Sequence, residues 1–323
     1  METRLSETRK PQADGNALAA LRGDDLLSLP AHPPSELDRT PILGIWDNAD
    51  EGESGGILRM AVTEKQGVLR VRAFGAVTPP HTGAAAVSAP AAEDWGEIDA
   101  ISYAPNVASP EAWGFTARYD FGFLETTIVS YIKLGDLVTT TYNVFRDRSG
   151  RADYWTREFF YLKEPPRAPH SSSQPIAPQP PAQQGFTRDR DRIRDASQEV
   201  DVDVTPLLAT WVNFDATSRG IVRAEIVRND ARDKGISIRS FGANEAGLLS
   251  WDSAPAIPLS DDAAQHKSSG LITSLDLGFQ RLVLVGYVNR GLLTLEAATT
   301  FTDGSPRARY LTRQHFYRLP RGG

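Results

Sequence analysis

The chain contains no cysteine. Disulfides, a thiolate nucleophile and cysteine-ligated zinc or iron–sulfur clusters are therefore excluded. Histidine is scarce: the five (His32, His81, His170, His266 and His315) are scattered, and no two have a metal-ligand spacing. No apolar run approaches the roughly 20 residues a membrane helix needs, and the charged stretch from Met1 to Pro11 lacks the apolar core of a secretory signal. A basic excess is missing too. The formal net charge is -6, with a pI near 5.5. That argues against a general nucleic-acid-binding surface, which needs clustered cations to neutralise phosphates. There is no nucleophile elbow, phosphate-binding glycine loop or dinucleotide fingerprint, and Asn213 to Gly220 has the wrong ligand spacing for a calcium loop. These absences lead to the expectation of a soluble, cytoplasmic protein with no metal, no cofactor, no nucleic-acid partner and no membrane partner.

What the chain does have is one stretch written twice. Gly114 to Tyr161 aligns with Gly270 to Tyr317 without a gap. The shared residues include Asp120/Asp276, Gly122/Gly278, Tyr131/Tyr287, Phe145/Phe301, Asp147/Asp303, Arg151/Arg307, Tyr154/Tyr310 and Arg157/Arg313. Self-similarity of this kind signals a duplicated structural unit. The match extends upstream: Ile45 to Asp50 with Thr210 to Asp215, Gly56 to Arg59 with Gly220 to Arg223, and Leu69 to Ala76 with Ile236 to Ala243. The region around Trp95 and Trp251 differs in length and loop content, as loops tolerate.

The order of segments follows from composition. Residues 1–38 are polar and rich in Pro, Asp and Arg, and read as a disordered tail, with Ala17 to Leu29 as a frayed segment or a docking helix. Residues 39–163 form the first repeat. Residues 164–203 are a linker: Pro165 to Gln184 is dense in Pro, Ser and Gln, and Thr187 to Asp195 alternates charge, as a solvated spacer or a short salt-bridged helix. Residues 204–323 form the second repeat. Each repeat shows about eight short strands. They alternate apolar and polar residues or run apolar on both faces, and hairpin chemistry such as Lys65-Gln66-Gly67 and Gly135-Asp136 separates them. Asp120, Asp276, Asp147 and Asp303 read as turn formers that bond their own backbone two residues on.

Eight sequential antiparallel strands expose two edges unless they close. The expected fold class is all-β, as two tandem eight-stranded antiparallel up-and-down barrels, each just wide enough for side chains or one small ligand. At Gly44-Ile45-Trp46 and Arg157 the sequence resembles the calycin superfamily, which includes lipocalins and avidin-like barrels. There a Gly-x-Trp opens the first strand, and a cation of the last strand packs across the Trp. The resemblance implies the pairs Trp46/Arg157 and Trp211/Arg313. The second repeat departs from it, with Ala209 in place of the Gly. An avidin-type biotin site, with its polar cradle and lumenal tryptophans, is not visible. Trp95, Trp113, Trp155 and Trp251 are the remaining tryptophans, and Trp113 and Trp155 lack a partner in the other repeat.

Four residues stand out as candidate ligand contacts: Arg59, Arg223, Tyr131 and Tyr287. A lumenal Arg needs an anionic partner, since a bare buried charge is costly; the alternative is an Arg lying along the outer wall. Tyr131 and Tyr287 sit in strands apolar on both faces, so one face is expected against the other barrel. Their hydroxyls either orient a ligand carbonyl or bond backbone at a rim. No catalytic residue is identified. The leading functional expectation is binding of a small apolar or amphiphilic ligand, argued from architecture. The alternatives are a cyclase or isomerase of the kind that calycin-like barrels supply in bacterial secondary metabolism, which needs few acid–base residues, and a protein interaction module.

Overall fold

A computed structural model describes residues 19–26, 36–50, 55–78, 91–166, 185–192, 202–229, 235–244 and 247–320. Eight strands follow the first short 3-10 turns: β1 (Gly44–Asn48), β2 (Ile57–Lys65), β3 (Val68–Val77), β4 (Ala91–Tyr103), β5 (Gly114–Asp120), β6 (Leu124–Lys133), β7 (Asp136–Phe145) and β8 (Tyr154–Glu164). Each pairs antiparallel with the next, and β8 pairs back onto β1. The result is a closed eight-stranded barrel without a free edge.

Nine further strands follow: β9 (Ala209–Asn213), β10 (Ile221–Asn229), β11 (Gly235–Asn244), β12 (Gly247–Ser250), β13 (Ala254–Ser260), β14 (Ser268–Asp276), β15 (Gln280–Asn289), β16 (Leu292–Phe301) and β17 (Tyr310–Arg318). Their ladders run β9–β10–β11–β13–β14–β15–β16–β17, and β17 pairs with β9; β12 folds back on the end of β11.

The turn chemistry read from sequence is present. Asp120 accepts from Gly122 N at 2.9 Å and Asp276 from Gly278 N at 3.0 Å, with Gly122 and Gly278 at φ +80° and +84°. The start of each ring is fixed alike. Trp46 Nε1 donates to Ile42 O (3.1 Å) and Trp211 Nε1 to Leu207 O (2.9 Å). Asn48 Nδ2 reaches Ile57 O and Asn213 Nδ2 reaches Ile221 O, at 2.6 and 2.7 Å. The cation assigned to each Trp by the calycin resemblance needs correction. Arg157 and Arg313 point outward, over Phe159 and toward Tyr287 and Tyr131. The cation on Trp211 is Arg318, 5.1 Å from the ring centroid; the aligned residue of the first repeat is Leu162.

The two rings meet through the faces of β6–β8 and β15–β17 that point away from their interiors. Tyr103, Val129, Tyr131, Val138, Tyr142, Leu259, Val285, Ala298 and Leu311 form one apolar cluster across the contact. Backbone bonds cross it in related pairs. Ser260 N donates to Asp153 O (2.7 Å) and Ala104 N to Arg309 O (2.8 Å); Ala152 N donates to Ala263 O (2.9 Å) and Ala308 N to Val107 O (3.1 Å). Each partner is 156 positions from its counterpart, as in an isologous two-fold contact. The two tryptophans without a counterpart sit here. The Trp155 ring stacks on Tyr287 at 4.4 Å and donates to Ser269 Oγ at 2.8 Å, and Trp113 lies 5.3 Å from Tyr131.

Tail and linker both need correction. Residues 19–26 are not a frayed piece of tail, nor residues 185–192 a solvated spacer: Leu21, Arg22, Asp25, Thr187, Arg188 and Asp191 are all buried. Residues 1–18, 27–35, 167–184 and 193–201 of the expected tail and linker lie outside the described residues.

Replacing Trp155 with Ala removes the stacked ring at the contact between the rings. Urea denaturation is expected to show a loss of about 3 kcal/mol, whereas Leu134→Ala, at a 97% exposed turn position, changes stability by under about 0.5 kcal/mol.

Candidate functional site

Side chains alternate across a strand, so register decides what faces the barrel interior. Leu124, Ile128, Leu137 and Phe160 belong to the apolar core of the first barrel. The residues opposite and alternate to them on β6–β8 share that face. They are Thr126, Ser130, Thr139, Thr141, Asn143, Thr156 and Glu158, and all seven are buried. The wall across the lumen is apolar, made by Met60, Val62, Leu69, Val71, Trp95, Phe115, Ala117 and Tyr119.

The polar wall is a ladder of side-chain bonds. Ser130 and Thr139 hydroxyls are 2.8 Å apart, as are those of Thr141 and Thr156. Thr126 donates to Asn143 Oδ1 at 2.9 Å, and Asn143 Nδ2 donates to Tyr154 O at 3.1 Å. Glu158 accepts from Asn48 Nδ2 and Ile57 N, each at 3.2 Å. One end of the barrel is closed by the turn Thr40–Ile42 under Trp46. At the other end Arg188 closes the ladder. Its Nε donates to Tyr154 Oη (3.1 Å), its Nη2 to Asn143, and its guanidinium lies over the Trp95 ring at 5.1 Å. Burial lowers the Arg188 affinity for its proton, but Tyr154 and Asp191 outweigh it, so the cation is held above its ordinary range. Burial pushes the Tyr154 hydroxyl well above its usual range.

Four of these seven positions read differently in the second ring, while Thr299, Thr312 and Gln314 keep the other three polar. Counterparts of Thr126, Ser130, Thr139 and Thr141 are Leu282, Gly286, Leu295 and Ala297. Leu282, Leu284, Leu293, Leu295 and Ala297 join that ring's apolar core. The repeats thus share a frame while their interiors differ in polarity.

Of the four residues singled out from sequence, two come together. Arg157 Nη2 donates to Tyr131 Oη at 3.3 Å, and Arg313 Nη2 to Tyr287 Oη at 3.1 Å. Both tyrosines lie between the rings, not in an interior. Glu296 is wholly buried beside them, 3.4 Å from Arg313 Nε. Desolvation pushes its carboxyl up to about 7 against the pull of Arg313 and Arg157. His315, 2.8 Å from Arg313 Nη1, is held low by burial and by the neighbouring cations. Arg59 and Arg223 are on the outer wall. A bulge between Ile57 and Arg59 breaks the alternation, so Ile57 is in the core while Arg59 pairs with Asp47 at 2.5 Å. The second ring has the same bulge at Ile221/Arg223, and Arg223 pairs with Glu225.

Sequence reading missed the polar wall and Arg188. The wall was visible as Thr126, Ser130, Thr139 and Thr141 set against Leu282, Gly286, Leu295 and Ala297, 156 positions on. Among the described residues no group of three or more His, Asp or Glu is placed to hold a metal ion, and no helix is long and apolar enough to cross a membrane. Comparison with protein-family models, curated proteins and solved structures gave no match.

Glu296 yields a pH prediction. Its pKa is raised on folding, so the native state binds more protons than the unfolded chain between about pH 4.5 and 7. Stability contributed by this group is full below that window and falls as pH rises through it, by roughly 3 kcal/mol in total. Asp153, pushed up to about 6 by burial, acts in the same direction. In denaturant melts at a series of pH values, Glu296→Gln should flatten the decline between pH 5 and 7 and leave the share due to Asp153.

Proposed function

We propose that the chain is a tandem pair of calycin-like barrels, and that the first binds a small amphiphilic ligand while the second serves as its structural partner. The observation that carries this reading is the two-sided interior of the first barrel. A packed filler core has no use for the four hydroxyls of Thr126, Ser130, Thr139 and Thr141: an unmet buried hydroxyl costs about 1–3 kcal/mol, and aliphatic side chains fill the same space without that risk. The second ring shows the alternative within the same chain. Retaining a threonine ladder opposite an aromatic wall suits a molecule with an apolar body and an oxygen-bearing edge. Hydroxyls can exchange partners by rotation, so the ladder can release bonds to a ligand and re-form them when it leaves. Among the described residues, no acid–base pair faces this interior in an arrangement that favours an enzyme over a binder.

A dansylated undecanoate, an apolar chain with a polar head, serves as probe. Fluorescence titration should give one site per chain. Thr139→Leu with Thr141→Ala, which installs the residues of the second ring, should weaken binding at least about tenfold. The reverse exchange in the second ring, Leu295→Thr with Ala297→Thr, should leave it unchanged. Equal losses from both pairs, or no binding by the folded wild type, would overturn the reading.

A further inference from the structure

Each ring carries a short arm at the same end, and each arm comes from the other half of the chain. Residues 19–26, which precede the first barrel, lie on the second ring. Residues 185–192, which precede the second ring, lie on the first barrel. The two contacts are built alike. Asp25 Oδ2 accepts from Leu21 N and Arg22 N, both at 3.1 Å, and Asp191 Oδ2 from Thr187 N and Arg188 N at 2.7 and 3.2 Å. The other carboxylate oxygen accepts from a strand tyrosine, Tyr310 or Tyr154, at 2.5 Å in each case. The arginine three residues earlier lies over a Trp and that Tyr: Arg22 at 5.3 Å from Trp251 and 5.0 Å from Tyr310, Arg188 at 5.1 Å from Trp95 and 5.6 Å from Tyr154.

The receiving side is prepared for a backbone. Arg307 Nη1 donates to Ala19 O (2.8 Å) and Asp25 O (3.3 Å); Arg151 Nη1 donates to Gly185 O (2.7 Å) and Asp191 O (2.8 Å). Both arginines are pinned from behind by Asp303 or Asp147 at 2.5 Å. A glycine makes room. A Cβ on Gly242 would stand 1.9 Å from Leu21 O, and one on Gly75 would stand 2.3 Å from Thr187 O.

We propose that the open end of each ring is a peptide-binding site whose ligand is an Arg-x-x-Asp turn, occupied in this chain by its own exchanged arms. The inference does not depend on the first barrel's holding a small molecule. It rests on a duplicated receptor surface meeting two segments that share little else: Leu21-Arg22-Gly23-Asp24-Asp25 and Thr187-Arg188-Asp189-Arg190-Asp191. Only the arginine and the second aspartate recur with the same partners, so these two side chains and the backbone carry the recognition.

The test uses the full chain with Arg22→Ala and Asp25→Ala, which disables the first arm. A fluorescein-labelled peptide of residues 19–26 should bind this variant with one-to-one stoichiometry by fluorescence anisotropy. Binding should fall at least about tenfold when the peptide carries Arg22→Ala, and vanish when Gly242→Ala is added to the chain. Equal binding of both peptides, or none by a variant whose circular dichroism is native, overturns the proposal. A second measurement covers a variant that does not fold. In the otherwise unchanged chain, Tyr310→Phe should speed hydrogen exchange at the Leu21 and Arg22 amides at least about fivefold while β15 and β16 stay as before. Unaltered exchange there equally overturns it.

Discussion

Two guanidinium groups with no exposure to water, Arg22 and Arg188, set the terms for much of this structure. A cation out of solvent is tolerated only if partners replace its hydration. Each arginine has a carboxylate on its own arm and an aromatic ring on either side, and the hydroxyl of the tyrosine ring binds that carboxylate. That demand explains why Tyr154/Tyr310 and Trp95/Trp251 are kept in both repeats. It also explains Arg151/Arg307, which satisfy the arm's carbonyls, and the Asp147/Asp303 turns behind them. Parting the halves uncovers the apolar contact between the rings.

The contact between the two rings is built from related halves. An isologous contact repeats every interaction about its axis, and the paired backbone bonds at Asp153/Arg309 and Ala152/Ala308 do so here. Departures from symmetry fall on particular side chains. Leu311 stands where the first repeat has Trp155, Ser269 where it has Trp113, and Glu296 where it has Thr140. Covalent fusion removes the need for both copies of a surface residue to be the same. The contact could then acquire one stacked indole and one buried carboxylate without a mirror-image clash or a second buried charge.

How much of this was legible follows the physics of each signal. Strands and turns were readable because alternation and Asp-x-Gly chemistry are local. Closure of the first barrel followed from the count of strands and the cost of edges. The outward Arg59 was one of two readings, and alternation did not decide between them, because a bulge shifts the face and leaves no mark in a two-residue period. The burial of Tyr131 between the rings was legible from the doubly apolar β6. The arms were the larger miss. Their composition is that of a solvated segment, and composition predicts burial only when burial is hydrophobic. Arg-x-x-Asp ahead of each repeat was the available signal, and it carries weight only once Trp95, Tyr154 and their counterparts are seen to form a cage.

The contrast between the two interiors is the part hardest to assign to folding. A barrel of this size is filled by side chains, and the second ring shows that aliphatic residues suffice on this frame. Replacing Leu282, Leu295 and Ala297 by the threonines of the first repeat adds hydrogen-bonding groups that must each find a partner; on the ring walls Arg188 bonds Asn143 and Thr141, and Arg22 bonds Thr299. Four added hydroxyls make folding more demanding without enlarging the apolar core. The second ring fills the same four positions without such hydroxyls, so packing alone does not call for them in the first.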